Sequence, residues 1–298
     1  MNSAGPTRLV LGMPSYRASA ARLAAAAGYA YADVDIHTFP DGESRVRLPA
    51  LLPDEVVICV SLDRPNAKLV DLELTAATAR HLGAGRVVLV APYLCYMRQD
   101  RAFHPGEAVS QQVIGHMLAR QFDTLITVDP HLHRVHRLAD AIPVRRAVAL
   151  SAAPLMTKWL AANSGQPLLL GPDAESEQWV AAIAKPAALD YGVAHKRRLG
   201  DRDVQIELPA LPFAGREVVL VDDVASSGQT LIEATRRLHD VGAASVSVLV
   251  THALFVGDAV ERLNAEGVIR IASTDSVVHP SNEIALAPLL ARSLAQSV

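Results

Sequence analysis

Cysteine is scarce: the 298 residues hold two, Cys59 and Cys95. Both lie inside apolar, strand-like runs, so they are read as small buried hydrophobes rather than as a disulfide or a catalytic thiol. An excess of one charge is also missing, because 28 Lys and Arg face 31 Asp and Glu and the formal net charge is −3. That balance leaves no basic footprint for nucleic acid or for an anionic membrane, so any anion binding must be local. No stretch approaches the ~18 uninterrupted apolar residues of a membrane span. The opening MNSAGPTRLVLGMP lacks the charged start and long apolar run of a signal peptide, and a cytoplasmic location is expected. Low-complexity tracts and solenoid periods are absent too.

What the chain does have is apolar content, half of its residues, and enough length for two α/β domains. Short β-branched runs alternate with helical patterns almost from end to end. RLVLG, VVICVSL, RVVLVAPY, TLITVDP, PLLLGPD, REVVLVDD, SVSVLVTHA and VIRIAST are strand candidates. Helices are predicted over 15–27, 67–82, 109–122, 175–184, 230–241 and 258–265. Strand, helix, strand in succession implies parallel sheets covered on both faces. The stretches RVVLVAPYLCYMRQD and EVVLVDDVASSGQT each run a VVLV strand into a polar loop, which argues for two domains of similar design. A composition shift near Ala139 to Arg146 places the handover, giving domains 1–145 and 146–298, with the last helix free to return to the first.

VVLVDDVASSGQTL, residues 218–231, concentrates the chemistry. In parallel sheets ligands sit beyond the carboxyl ends of the strands, and Asp222-Asp223 falls at such an end. Ser226, Ser227, Gly228, Gln229 and Thr230 then lead into a helix N-terminus, where unpaired N–H groups and the positive dipole end favour a phosphate. Acceptor-only carboxylates suit vicinal ring hydroxyls or a hydrated Mg²⁺. Acids and anion loop are therefore complementary to one ligand, a sugar phosphate.

This stretch resembles the phosphoribosyl-pyrophosphate loop shared by type I phosphoribosyltransferases and ribose-phosphate diphosphokinases. Four further segments resemble the diphosphokinases alone: Phe39-Pro-Asp-Gly-Glu43, Pro92-Tyr-Leu-Cys-Tyr-Met-Arg-Gln-Asp100, Thr127-Val-Asp-Pro-His131 and Gly171-Pro-Asp173. Val193-Ala-His-Lys-Arg-Arg-Leu199 resembles the start of that family's catalytic loop. The resemblance covers nearly the whole chain and is closest to the shorter archaeal-type, class III-like branch.

The resemblance implies an α/β fold of two phosphoribosyltransferase-like domains, each a mainly parallel sheet flanked by helices. The implied reaction moves diphosphate from ATP to the anomeric hydroxyl of ribose 5-phosphate, giving 5-phosphoribosyl 1-diphosphate and AMP with Mg²⁺ as cofactor. By the same token Phe39, Asp41, Gly42, Glu43, Arg98 and Gln99 would bind ATP, the first four reaching across from a neighbouring subunit of a homo-oligomer. His131 and Asp173 would hold the metal. Lys196 and Arg198 would be catalytic, on one side of an extended segment. Asp222, Asp223 and residues 226–230, with Arg198, would bind ribose 5-phosphate. His131, His133 and His136 are spaced by two and three, which does not gather them on one helical face as a zinc site.

Departures from the family pattern fall in the loop, where Ser226 replaces an acid, Ser227 a threonine and Gln229 a glycine. Glycine suits a position of positive φ or close phosphate approach. After Asp100 the segment Arg101-Ala-Phe-His-Pro-Gly-Glu-Ala-Val-Ser110 offers one arginine and an acid, against the basic, serine-containing segment of relatives activated by phosphate. Two other functions share part of these features. A phosphoribosyltransferase would need the loop but not FPDGE, RQD or the first domain, and a non-catalytic paralogue would bind nucleotide and regulate a partner.

Overall fold

The structure, a computed structural model, describes residues 8–198 and 204–296. These divide into two units, one running to Leu150 and resuming at Leu286, the other spanning Ser151–Ala285.

In the first unit, β1 (Arg8–Gly12), α1 (Arg17–Ala27) and β2 (Ala30–Asp33) are followed by a hairpin of β3 (Asp35–Thr38) and β4 (Ser44–Arg47). Then come β5 (Glu55–Cys59), α2 (Pro65–His81), β6 (Arg86–Val90), α3 (Ser110–Gln121), β7 (Thr124–Val128), α4 (Leu138–Ala141) and β8 (Arg146–Leu150). The second unit contains α5 (Ala153–Asn163), β9 (Leu168–Gly171), α6 (Glu177–Ala184), β10 (Tyr191–Val193), and a hairpin of β11 (His195–Arg198) and β12 (Val204–Glu207). It continues through β13 (Glu217–Ala225), α7 (Gln229–Asp240), β14 (Ser245–Ala253), α8 (Ala259–Ala265), β15 (Val268–Thr274) and β16 (Asn282–Ile284), and α9 (Ala287–Ala295) rejoins the first unit against α1.

The first sheet has the order β2-β1-β5-β6-β7-β8 and the second β10-β9-β13-β14-β15-β16, parallel throughout. Central strands such as β7 and β9 are buried at every residue, because helices cover both faces and leave no polar side. Each unit fills its own core. Leu11, Ile58, Leu89 and Leu125 lie in one, Leu170, Leu220, Val248 and Leu238 in the other. Cys59 and Cys95 are buried and outside any disulfide, and burial pushes the Cys95 thiol up to about 12.

The two sheet orders match strand for strand, with an antiparallel hairpin inserted after the second strand of each unit. By position β13 corresponds to β5, not to β6. The repeated VVLV motif therefore joins two non-equivalent strands, although the two domains it argued for are present. Starting both strands at their glutamates, Glu55 and Glu217, sets Val60-Ser61 where the second unit has Asp222-Asp223. The first unit has the architecture without the acids.

The division between the units falls after Leu150 and not after residue 145. Arg146–Leu150 pair with Thr124–Val128 as the edge strand of the first sheet, and the composition shift marks the short α4 and the loop before that strand.

Candidate active site

Asp222 and Asp223 stand near the end of β13, which lies between β9 and β14. Asp223 is buried and Asp222 half-buried. The Asp223 amide donates to Asp222 Oδ1 at 2.9 Å. Burial, then the charges of Asp223 and Asp173, hold the Asp222 carboxyl well above the usual carboxylate range.

Beyond β13 the chain is clamped from behind. The Leu254 and Phe255 amides donate to the Ala225 carbonyl at 3.0 Å each, and the Val256 amide to the Ser226 carbonyl at 3.1 Å. The carbonyls are thus consumed, while the amides of Ser227, Gly228, Gln229 and Thr230 meet no acceptor among the described residues. Four successive donors at the start of the 12-residue α7 form a nest for an anion. Gly228 carries the left-handed conformation, φ 70°, and a Cβ there would come within 3.5 Å of Ala259 on α8. Gln229 is the first helical residue, outside the positive-φ region, so glycine is not needed there for backbone reasons.

Asp173 follows β9 in the same unit. Its Oδ1 accepts from the Glu175 amide at 3.1 Å, and Ser176 Oγ donates to its carbonyl at 2.5 Å. Gly171 makes that turn possible, because a Cβ there would stand 2.2 Å from Ser176 Oγ. Asp173, Asp222, Asp223 and the loop from Ser226 to Thr230 are therefore gathered at one end of one sheet. Lys196 and Arg198 lie on β11, opposite Ile206 and Val204 of β12. The backbone is extended as the motif required, and the side chains of both lie outside what is described.

In the first unit, Phe39-Pro-Asp-Gly-Glu43 forms the tip of the β3–β4 hairpin. The Phe39 amide donates to the Glu43 carbonyl at 2.8 Å, the Gly42 amide to the Phe39 carbonyl at 2.9 Å, and Gly42 has φ 91°. The Phe39 ring is 41% exposed and edge-on to His37. Asp41, Gly42 and Glu43 border a surface concavity of about 480 Å³ whose opposite wall is Ala67, Val70 and Leu74 of α2. An aromatic ring and two carboxylates are left presented to solvent.

Arg98 is exposed in the loop after β6, and Gln99 Oε1 accepts from Ser110 Oγ at 2.7 Å. Asp100 ties this loop to the segment containing His131: Arg134 donates to it through Nη1 at 2.7 Å and through its amide at 3.2 Å. Burial raises the Asp100 pKa, but the hydrogen bonds and charge of Arg134 outweigh it and leave the carboxyl below its ordinary value. Arg134 was missed in sequence because its acid partner is 34 residues away and no local pattern joins them. The His131 and His133 rings meet edge to face, centroids 4.2 Å apart, and His136 is exposed. Residues 131–137 contain no helix or strand, so helical spacing is not what orders these histidines.

Fold and loop together define a protein of the phosphoribosyltransferase type. The model of the N-terminal domain of ribose phosphate pyrophosphokinase matches residues 9–121, and that of the phosphoribosyl transferase domain matches residues 144–274. A ribose-phosphate pyrophosphokinase of Methanopyrus kandleri is 37% identical over 266 residues, 88% of this chain and 90% of its own. One of Halobacterium salinarum is 34% identical over 290 residues, 96% of this chain and all of its own. The phosphoribosylpyrophosphate synthetase of Mycobacterium smegmatis, only 19% identical, has the same fold with a TM-score of 0.84 over 98% of each chain. The chain belongs to the ribose-phosphate pyrophosphokinase family, a family of transferases. Among the described residues no helix is long and apolar enough to cross a membrane.

Proposed function

We propose that this chain transfers the terminal diphosphate of ATP to ribose 5-phosphate. The anomeric oxygen attacks the β-phosphorus, the bond from that phosphorus to the oxygen of the α-phosphate breaks, and AMP leaves with the bonding electrons. The hydroxyl proton passes to solvent, and 5-phosphoribosyl 1-diphosphate results. The observation that carries this reading is the joint presence of four unpaired amides, Ser227 to Thr230, and the Asp222–Asp223 pair at one strand end. The nest takes the 5-phosphate, with Ser226, Ser227 and Thr230 adding hydroxyl donors, while the two acids accept from ring hydroxyls.

On this reading Phe39 stacks on adenine, Asp41 and Glu43 accept from its amino edge, and Arg98 and Gln99 contact the nucleotide. Because Phe39, Asp41, Gly42 and Glu43 sit at an exposed hairpin tip, we assign them to a neighbouring copy's site in a homo-oligomer. The acids fit Mg²⁺: Asp173, Asp222 and Asp223 crowd one place, and the mutual repulsion of buried carboxylates is relieved by a proton or a cation. His131 and Asp173 would each be a metal-binding residue, and Asp222 and Asp223 would hold an ion at the sugar. Bound Mg²⁺ would supply charge neutralisation for the diphosphate. Lys196 and Arg198, on the β11–β12 hairpin, stabilise the negative charge of the transferring group as that hairpin closes. No protein nucleophile takes part.

A phosphoribosyltransferase would share the loop, but the match of residues 9–121 gives the first unit to the diphosphokinases. An assay for AMP with ATP, Mg²⁺ and ribose 5-phosphate tests the proposal. AMP must appear in step with 5-phosphoribosyl 1-diphosphate, and nucleotide turnover indifferent to ribose 5-phosphate would refute it.

A further inference from the structure

Gln229 is where this chain parts from the glycine of the family's loop, and its side chain has a partner. Gln229 Oε1 accepts from Arg262 Nη2 at 2.8 Å, across from α7 to α8. The two helices are already close there, since Gly228 packs against Ala259 and Leu263. Arg262 is half-buried, and among the described residues no carboxylate lies at ion-pair distance from it. Glu266 feels the charge of Arg262 but is ion-paired with Arg236. The guanidinium has one donor spent on a neutral amide and is docked on the first residue of the helix whose amides form the nest.

We propose that Arg262, held by Gln229, is a positioning residue for the sugar phosphate, bringing a cation to the edge of the phosphate nest that a glycine at 229 would leave without one. The inference rests on reading the β13–α7 loop as the ribose 5-phosphate site. A guanidinium held there by a neutral amide strengthens phosphate binding by charge and by preorganising the start of α7. It acts on the sugar phosphate and not on ATP.

The test is steady-state kinetics of wild type, R262A, R262Q, Q229A and the R262A/Q229A double variant, with the KM of each substrate measured at two ionic strengths. R262A should raise the KM for ribose 5-phosphate about three- to tenfold, the scale of one partly screened charge, with the KM for ATP within about twofold. The wild-type KM should rise more steeply with salt than that of R262A. R262Q keeps a donor for Gln229 and loses only charge, so it should match R262A in KM while melting like wild type, which separates charge from helix packing. Because both residues act as one unit, the double variant should be no worse than R262A. An unchanged KM for ribose 5-phosphate in R262A and R262Q, equal rises for both substrates, or additive effects of the two sites would overturn the proposal. If wild type itself forms no AMP in response to ribose 5-phosphate, the reading of the site fails instead.

Discussion

Asp222 Oδ1 accepts from the Asp223 amide at 2.9 Å, yet burial and the charges of Asp223 and Asp173 outweigh that bond, so the folded chain holds a carboxyl that resists ionisation. The raised pKa of Asp222 means that the folded state binds a proton that the unfolded chain gives up at lower pH. Stability therefore falls as pH rises from the ordinary carboxylate range through the raised value. Asp222→Asn removes this term. With divalent cations chelated, the variant should be more stable than wild type at pH 8, with a smaller gain at pH 5. Added Mg²⁺ should raise the melting temperature of wild type and not of the variant, and activity should fall. Melting curves at both pH values decide the matter, and a variant less stable at each would contradict it.

Lys196 stands on β11, which among the described residues pairs with β12 outside the main sheets. If its charge serves the transferring group and not the bound substrates, Lys196→Ala should lower kcat about 10²–10³-fold and leave the KM for ATP within about threefold. Initial rates over a range of ATP check both. Near-normal kcat removes Lys196 from the mechanism.

The hairpin tip of Phe39 to Glu43 makes a prediction about assembly. If these residues complete the site of another copy, a Phe39→Ala, Asp41→Ala chain and a Lys196→Ala chain are each inactive for different halves of the machinery. Mixed and reassembled, they should regain activity severalfold above either parent, because some sites then combine an intact hairpin tip with an intact Lys196. Sedimentation of the wild type should show a dimer or larger. A fully active monomer would refute the assignment.

The strands that can be read from sequence are those buried on both faces. Runs such as 218–221 and Thr124–Val128 are buried at every residue, and their apolar and β-branched composition declares them. The hairpins β3–β4 and β11–β12 escape the same search, since Ser44–Arg47 and His195–Arg198 pair outside the main sheets and carry polar sequences. Their functional residues were found through motifs instead. The acids and the loop after them were legible because one short segment contains both. Arg262 was not, since it meets Gln229 from 33 residues away on a helix with no motif of its own. At Gln229 the backbone reason for glycine does not apply, because the left-handed position is Gly228, one residue earlier, and position 229 is ordinary helix.

Regulation by inorganic phosphate is testable against the segment after Asp100. Here Glu107 is central: its carboxylate accepts from the Phe103 amide at 2.7 Å and lies 2.7 Å from His104 Nδ1, around a turn in which Gly106 has φ 90°. The His104 contact and the Phe103 amide hold the Glu107 carboxyl below its usual range, so it stays ionised at any working pH. Arg101, the one arginine of the segment, lies over the Phe103 ring at 5.0 Å. A free phosphate approaching this turn meets a carboxylate that already occupies the local donors, and gains little by choosing one conformation of the enzyme over another. A ligand without differential affinity shifts no equilibrium. The enzyme should therefore run without added phosphate, and ADP should inhibit only by competing with ATP. Initial rates in phosphate-free buffer, then with rising phosphate at fixed free Mg²⁺ and ionic strength, should change by less than about twofold. Sigmoidal activation of roughly tenfold, the range of ordinary allosteric coupling, would show that an effector site exists in spite of Glu107.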